Sequence, residues 1–139
     1  MAGTVYLADT SAYVLLGRHP QVRARFAALL TEGRLAICQM TALEYLNNAA
    51  SPASYEALWA ALHGQRWMDV STATMQRAMD VHRLLAASSQ HRHFRLPDLI
   101  IAATAEQHGA TVLHYDADYD RIAAMTGQLV EWVAEKGSL

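Results

Sequence analysis

Hydrophobic and polar residues along this chain switch repeatedly between two periods. Short apolar runs at Thr4–Ala8, Arg34–Cys38, Arg66–Val70, Thr111–Tyr115 and Gln128–Val133 read as strands. Between them apolar positions recur every three or four residues, which predicts helices. One short helix starts near Ser11, and a second spans Pro20–Thr31 with Val22, Phe26, Leu29 and Leu30 on one face. A third runs from about Ala42 to Asn48. A fourth follows Ser51-Pro52, carries Tyr55, Leu58, Trp59 and Leu62 on one face, and stops at Gly64. The fifth starts at Thr72 and is expected to turn Met75, Met79, His82 and Leu85 or Ala86 inward. Ser88–Leu96 is polar and basic, and reads as a loop or a frayed helix end. Pro97 opens a sixth helix that runs to His108 before Gly109; its Leu99–Ala103 run is apolar nearly all round, as suits a central helix. Tyr119–Thr126 forms the last, closed by Gly127.

Strands alternating with helices predict an α/β fold, with a mainly parallel central sheet and helices on both faces. The 139 residues show no repeat, low-complexity stretch or linker, so one domain over residues 1–139 is expected. In open sheets of this kind, sites form outside the carboxyl ends of the strands. The polar residues at those ends are therefore the candidates for chemistry.

They are mostly acids. Asp9 directly follows the first strand in VYLADTSAY, and Glu44 lies in the helix after the second strand in TALEYL. Asp98 begins a helix in LPDLIIAA, and Asp116 follows the fourth strand in VLHYDADYD, with Asp118 two residues on. Two carboxylates at about 4 Å repel by roughly 4 kcal/mol at an effective dielectric near 20, so such a cluster calls for a cation. A hard divalent ion such as Mg²⁺ takes oxygen ligands and can orient and activate water for phosphoryl chemistry. No dense His or Cys set points to zinc.

Each acid also has a plain structural reading. Asp9 can cap the first short helix, Thr41 and Glu44 match a capping box, Asp98 suits a first helical turn, and the Asp116-x-Asp118-x-Asp120 run can be a solvated turn. Four such accidents on one rim are less credible than one. An EF-hand beginning at Asp116 fails, because its sixth and twelfth places hold Arg121 and Gly127. A phosphatase with an Asp nucleophile after the first strand would place a second Asp where Ser11 stands. There is no Gly-rich phosphate loop and no Ser- or Cys-centred triad motif.

Composition refines this picture. The net charge of −2 speaks against a nucleic-acid partner only superficially. With five of the 13 acids drawn into one cluster, the 11 basic residues outnumber the rest, and all but Lys136 are Arg, whose planar fork suits phosphate. No apolar run approaches a membrane span, no secretory signal is visible, and a single cysteine, Cys38, excludes an intrachain disulfide. A cytoplasmic location is the expectation.

Taken together, LADTSAYV, TALEYL and LPDLIIAATAEQHGATVLHYDADYDRIA resemble the PIN-domain ribonuclease family, in the form of the VapC-type toxins of bacterial type II toxin–antitoxin systems. The resemblance runs from about Val5 to Trp132. It implies a three-layer α/β sandwich and a Mg²⁺- or Mn²⁺-dependent endoribonuclease that hydrolyses RNA phosphodiester bonds, tRNA or rRNA, to inhibit translation or growth. It also implies 5′-phosphate and 3′-hydroxyl products, a homodimer, and a cognate VapB-type antitoxin whose C-terminal region neutralises the enzyme. By position, Asp9, Glu44, Asp98 and Asp116 are the catalytic acids, with Asp9, Asp98, Asp116 and Asp118 as metal ligands and Ser11 in support. One departure is His114-Tyr115, where many relatives have Thr followed by a basic residue. His91, Arg92, His93, Phe94 and Arg95 combine positive charge with one ring, suited to RNA backbone contact and base stacking or simply to a solvated basic loop. Two other functions remain open at this level: a non-catalytic PIN-fold binding protein, and a metal phosphatase of small phosphoesters.

Overall fold

A computed structural model describes residues 3–139. The strands are β1 (Tyr6–Ala8), β2 (Leu35–Ile37), β3 (Arg66–Trp67), β4 (Thr111–His114) and β5 (Val130–Trp132). The helices are α1 (Thr10–Tyr13), α2 (Pro20–Thr31), α3 (Gln39–Leu46), α4 (Pro52–His63), α5 (Thr72–Ala87), α6 (Leu96–Gln107) and α7 (Asp118–Thr126). The strands form one sheet in the order β3-β2-β1-β4-β5, and every pairing is parallel. Tyr6 pairs with Leu35 on one side and Thr111 on the other, so β1 is the central strand.

Alternation along the strands builds two cores, one on each face of the sheet. Leu7, Ala36 and Val112 pack with Val81, Leu85, Leu99, Ile101 and Ile122 from α5, α6 and α7. Tyr6, Ala8, Leu35, Ile37 and Leu113 pack with Tyr13, Val22, Phe26 and Leu62 from α1, α2 and α4. The result is the expected three-layer arrangement. The chain leaves β1 toward β2 on one side and returns to β4 on the other, so the sheet order reverses between β1 and β4. The carboxyl ends flanking that reversal open a crevice.

Four local readings need correction. Met75 and Met79 do not face inward: they are 42% and 63% exposed, and the buried face of α5 is Thr74, Ala78, Val81 and Leu85. Here α5 lies against an alanine-rich α6, and close helix approach selects small residues for the seam and leaves the long side chains at its margin. On α4 only Leu62 is fully buried, while Tyr55 and Trp59 stack on each other at the surface. The third helix starts at Gln39, not near Ala42, which places Thr41 inside the helix and removes the capping box proposed for Glu44. The basic segment forms a short 3₁₀ turn at His91–His93, and Phe94 lies in the core at 5% exposure. Phe94 is thus not available to stack on a base.

Candidate metal centre

Each acid reaches the crevice by a different local route. Asp9 stands one residue past β1, where its backbone N–H extends the ladder to the Leu113 carbonyl at 2.9 Å. It is also the N-cap of α1: its Oδ2 accepts from the Ser11 N–H at 3.0 Å. The capping reading of Asp9 therefore holds, but it uses only one of the two oxygens. Oδ1 points across the crevice and accepts from the Tyr119 hydroxyl at 2.8 Å.

Glu44 comes from α3, on the far side of Asp9. Its Oε1 accepts from the Thr10 hydroxyl at 2.9 Å, and its Oε2 is ion-paired with Arg95. Asp98 enters from the first turn of α6, which Pro97 starts and whose N-terminus favours an acid. It is 1% exposed; its Oδ1 lies 3.4 Å from the Tyr119 hydroxyl and 4.0 Å from Arg95, and its Oδ2 has no hydrogen-bond partner. Asp116 sits two residues past β4 and accepts from the Asp118 N–H at 2.9 Å, while Asp118 opens α7.

These acids meet in two overlapping groups. Ligand-capable oxygens of Asp9, Glu44 and Asp98 all lie within 4.8 Å of one another, as do those of Asp98, Asp116 and Asp118. Asp98 belongs to both. Ionised carboxylates at that separation repel by about 3.5 kcal/mol per pair at an effective dielectric near 20. The strain concentrates on Asp98, whose carboxyl is raised from 3.8 to about 7, mainly by burial, then by the charges of Asp9, Asp116 and Glu44 against the opposing pull of Arg95. A buried oxygen with no donor, inside an all-oxygen set, fits a hard divalent cation: it has the ligand chemistry and lacks the protons that would satisfy it otherwise.

Ser11 supports the crevice through its backbone, and its hydroxyl accepts from the Tyr115 N–H at 2.9 Å, tying α1 to the end of β4. His114 is fully buried, and burial lowers its pKa, keeping the imidazole neutral. Its Nδ1 accepts from the Asp116 N–H at 3.1 Å, so the proton is on Nε2, which has no partner. The His114 ring lies 5.0 Å from that of Tyr119. Of the basic segment, Arg92 and His93 are exposed and away from the described acid contacts, whereas Arg95 leans on Glu44. Tyr119 escaped the sequence reading because a tyrosine at a helix start, followed by apolar Ile122, reads as core. Its place directly after the DAD run was the available clue.

The geometry agrees with comparisons to known proteins. A family profile for the PIN domain matches residues 6–125, most of the chain. The chain belongs to the PIN-domain family. Among PIN-domain relatives, it is 42% identical to ribonuclease VapC18 of Mycobacterium tuberculosis over 137 residues, 97% of this chain and 99% of the relative. It is also 42% identical to ribonuclease VapC51 of the same species over 134 residues, 96% of each. A chain in a DNA-bound VapBC structure from Salmonella typhimurium shares this fold, with TM-score 0.76 and 19% identity, covering 95% of this chain and all of the other. Among the described residues, no helix is long and apolar enough to cross a membrane.

Proposed function

We propose that this PIN-domain chain is a VapC-type endoribonuclease toxin, dependent on Mg²⁺ or Mn²⁺ and neutralised by a VapB-type antitoxin. The observation that carries the reading is the crevice itself, two acid triads sharing Asp98, in a chain whose relatives over nearly full length are named ribonucleases. Those names favour RNA hydrolysis over both a non-catalytic binding role and a small-phosphoester phosphatase. A divalent cation held by these acids would supply Lewis-acid activation of water and offset charge on the phosphoryl oxygens.

The chain's own residues do the rest. Asp9, Asp98, Asp116 and Asp118 offer oxygens to the cation, and Glu44, held by Thr10 and Arg95, faces the same space. Arg95, whose side chain is 61% exposed, stands at the mouth where an RNA phosphate would approach. Arg92 and His93 are exposed on the adjoining turn and serve backbone contact; tRNA or rRNA is the substrate class we favour. Two apolar grooves are formed mainly by residues of α5 and α6 and of α3 and α4, where α6 also carries Asp98 and α3 carries Glu44. One, about 280 Å³, is lined by Met75, Met79, Leu96 and Leu99; the other, about 430 Å³, by Leu43, Leu46, Trp59 and Trp67. They offer walls for an antitoxin segment or a second copy of the toxin.

Cleavage of RNA with Mg²⁺ or Mn²⁺ present tests the reading. Wild type is expected to cleave, EDTA to abolish cleavage, and Asp9→Asn to lose at least about a thousandfold in rate, equivalent to about 4 kcal/mol of transition-state stabilisation, while remaining folded. Near wild-type cleavage by a folded Asp9→Asn protein would remove Asp9 from the site.

A further inference from the structure

One side chain connects acids that reach the crevice from different layers. We infer that Tyr119 is a positioning residue of the metal centre, its hydroxyl spanning Asp9 and Asp98 so that both carboxylates are aimed before a cation arrives. The inference rests on the metal-dependent reading above.

Tyr119 lies in the first turn of α7 and is completely buried. Its ring packs in the core with Leu7, Leu99 and Ile122, a role that Phe would fill equally well. The hydroxyl is what packing does not require. Buried without a partner it would be costly. Its partner is an acid: the single proton goes to Asp9 Oδ1 at 2.8 Å, and the hydroxyl oxygen of Tyr119 lies 3.4 Å from Asp98 Oδ1. Because the Ser11 N–H already holds Asp9 Oδ2, the two donors together fix the rotation of the Asp9 carboxylate. Tyr119 also occupies the Oδ1 side of Asp98, and the oxygen left bare is the buried Oδ2. The ring that carries the hydroxyl is itself braced. The His114 ring packs beside the Tyr119 ring, and His114 Nδ1 accepts from the backbone of Asp116. A continuous chain of contacts thus runs from Asp9 through Tyr119 and His114 to Asp116, joining the two triads by a path other than Asp98.

Tyr119→Phe keeps the ring and deletes the hydroxyl, and circular dichroism checks that the fold survives. Calorimetric titration of the metal-free protein with Mn²⁺ is expected to give a dissociation constant about tenfold higher than wild type, the scale found when a partner that orients a metal ligand is lost. In RNA cleavage, kcat is expected to fall while KM is unchanged, because Tyr119 is sealed from any substrate. A variant that binds Mn²⁺ within twofold of wild type overturns the inference and leaves the nuclease reading intact. Wild type that binds no Mn²⁺ overturns both. A second measurement needs no folded variant: proton NMR of wild type is expected to show a slowly exchanging phenolic hydroxyl signal that shifts on adding Mg²⁺. A hydroxyl exchanging as fast as a surface tyrosine, or unmoved by Mg²⁺, also sinks the assignment.

Discussion

The two halves of the acid cluster are built on different principles. Asp9, Glu44 and Asp98 come from three separate elements, and Asp9 and Asp98 are closed to solvent. Tertiary partners hold this half: Tyr119 on Asp9, Thr10 and Arg95 on Glu44. Asp116 and Asp118 come from one turn and are partly exposed, and the bond that holds Asp116 is a local one from the backbone two residues on. Water can screen charge in the open half and cannot in the closed one. The closed half therefore carries the electrostatic demand for a cation, and the open half is the part that solvent reaches.

The sharpest way to break that comparison is to neutralise one acid in each half. Asp98→Asn removes the residue common to both triads and is expected to lower RNA cleavage by about a thousandfold, or about 4 kcal/mol, whereas Asp118→Asn in the open half is expected to cost about tenfold. Equal losses in the two variants would erase the distinction.

A smaller effect, in stability, follows from the carboxyl of Asp98, raised to about 7. Between its ordinary value near 3.8 and about 7, the folded protein keeps a proton that the unfolded chain gives up. Stability from this group is thus fully present below about 4, declines as pH rises, and is gone above about 7. At about 1.4 kcal/mol per pH unit, the loss is a few kcal/mol at most. In EDTA the melting temperature is expected to fall between pH 5 and pH 8 more steeply in wild type than in Asp98→Asn, and Mg²⁺ is expected to stabilise wild type more at pH 8 than at pH 5. Parallel pH curves for the two proteins would show that Asp98 does not carry the strain.

The smallest expected effect sharpens the account of Glu44. Thr10→Val keeps the shape of the side chain and removes the hydroxyl that Glu44 accepts from, which is expected to cost about 1 kcal/mol in denaturant unfolding and a few-fold in Mn²⁺ affinity. The matching change at an exposed threonine, Thr72→Val, should leave Mn²⁺ affinity as it is. A Thr10→Val protein indistinguishable from wild type would mean that Arg95 alone positions Glu44.

Much of the architecture is legible in the sequence. The alternation of short apolar runs with three-to-four periodicity marked every strand and helix, because a strand buried on both faces and a helix buried on one leave different spacings in the sequence. Asp9 and Asp116 announced themselves by following strand ends, since the parallel sheet sends every such end to one rim. The faces of α5 and α4 were harder to read. Periodicity names the most hydrophobic stripe, but close packing against α6 preferred Ala78 and Val81 to Met75 and Met79. Phe94 looked like part of a basic loop because its polar neighbours in sequence hide a burial that exists only once the flanking α5 and α6 have packed on the sheet.

By itself, then, the sequence determined the order of elements, the parallel sheet and the residue types gathered at its carboxyl rim, since these follow from local periodicity and chain direction. The tertiary structure decided which acids are buried, which oxygen of each is free, and that Tyr119 stands between Asp9 and Asp98. Those properties belong to distances between residues 21 and 110 positions apart in the chain. Such distances are set by how α6 and α7 pack on the sheet, and packing is a sum over many contacts that no single stretch of sequence encodes.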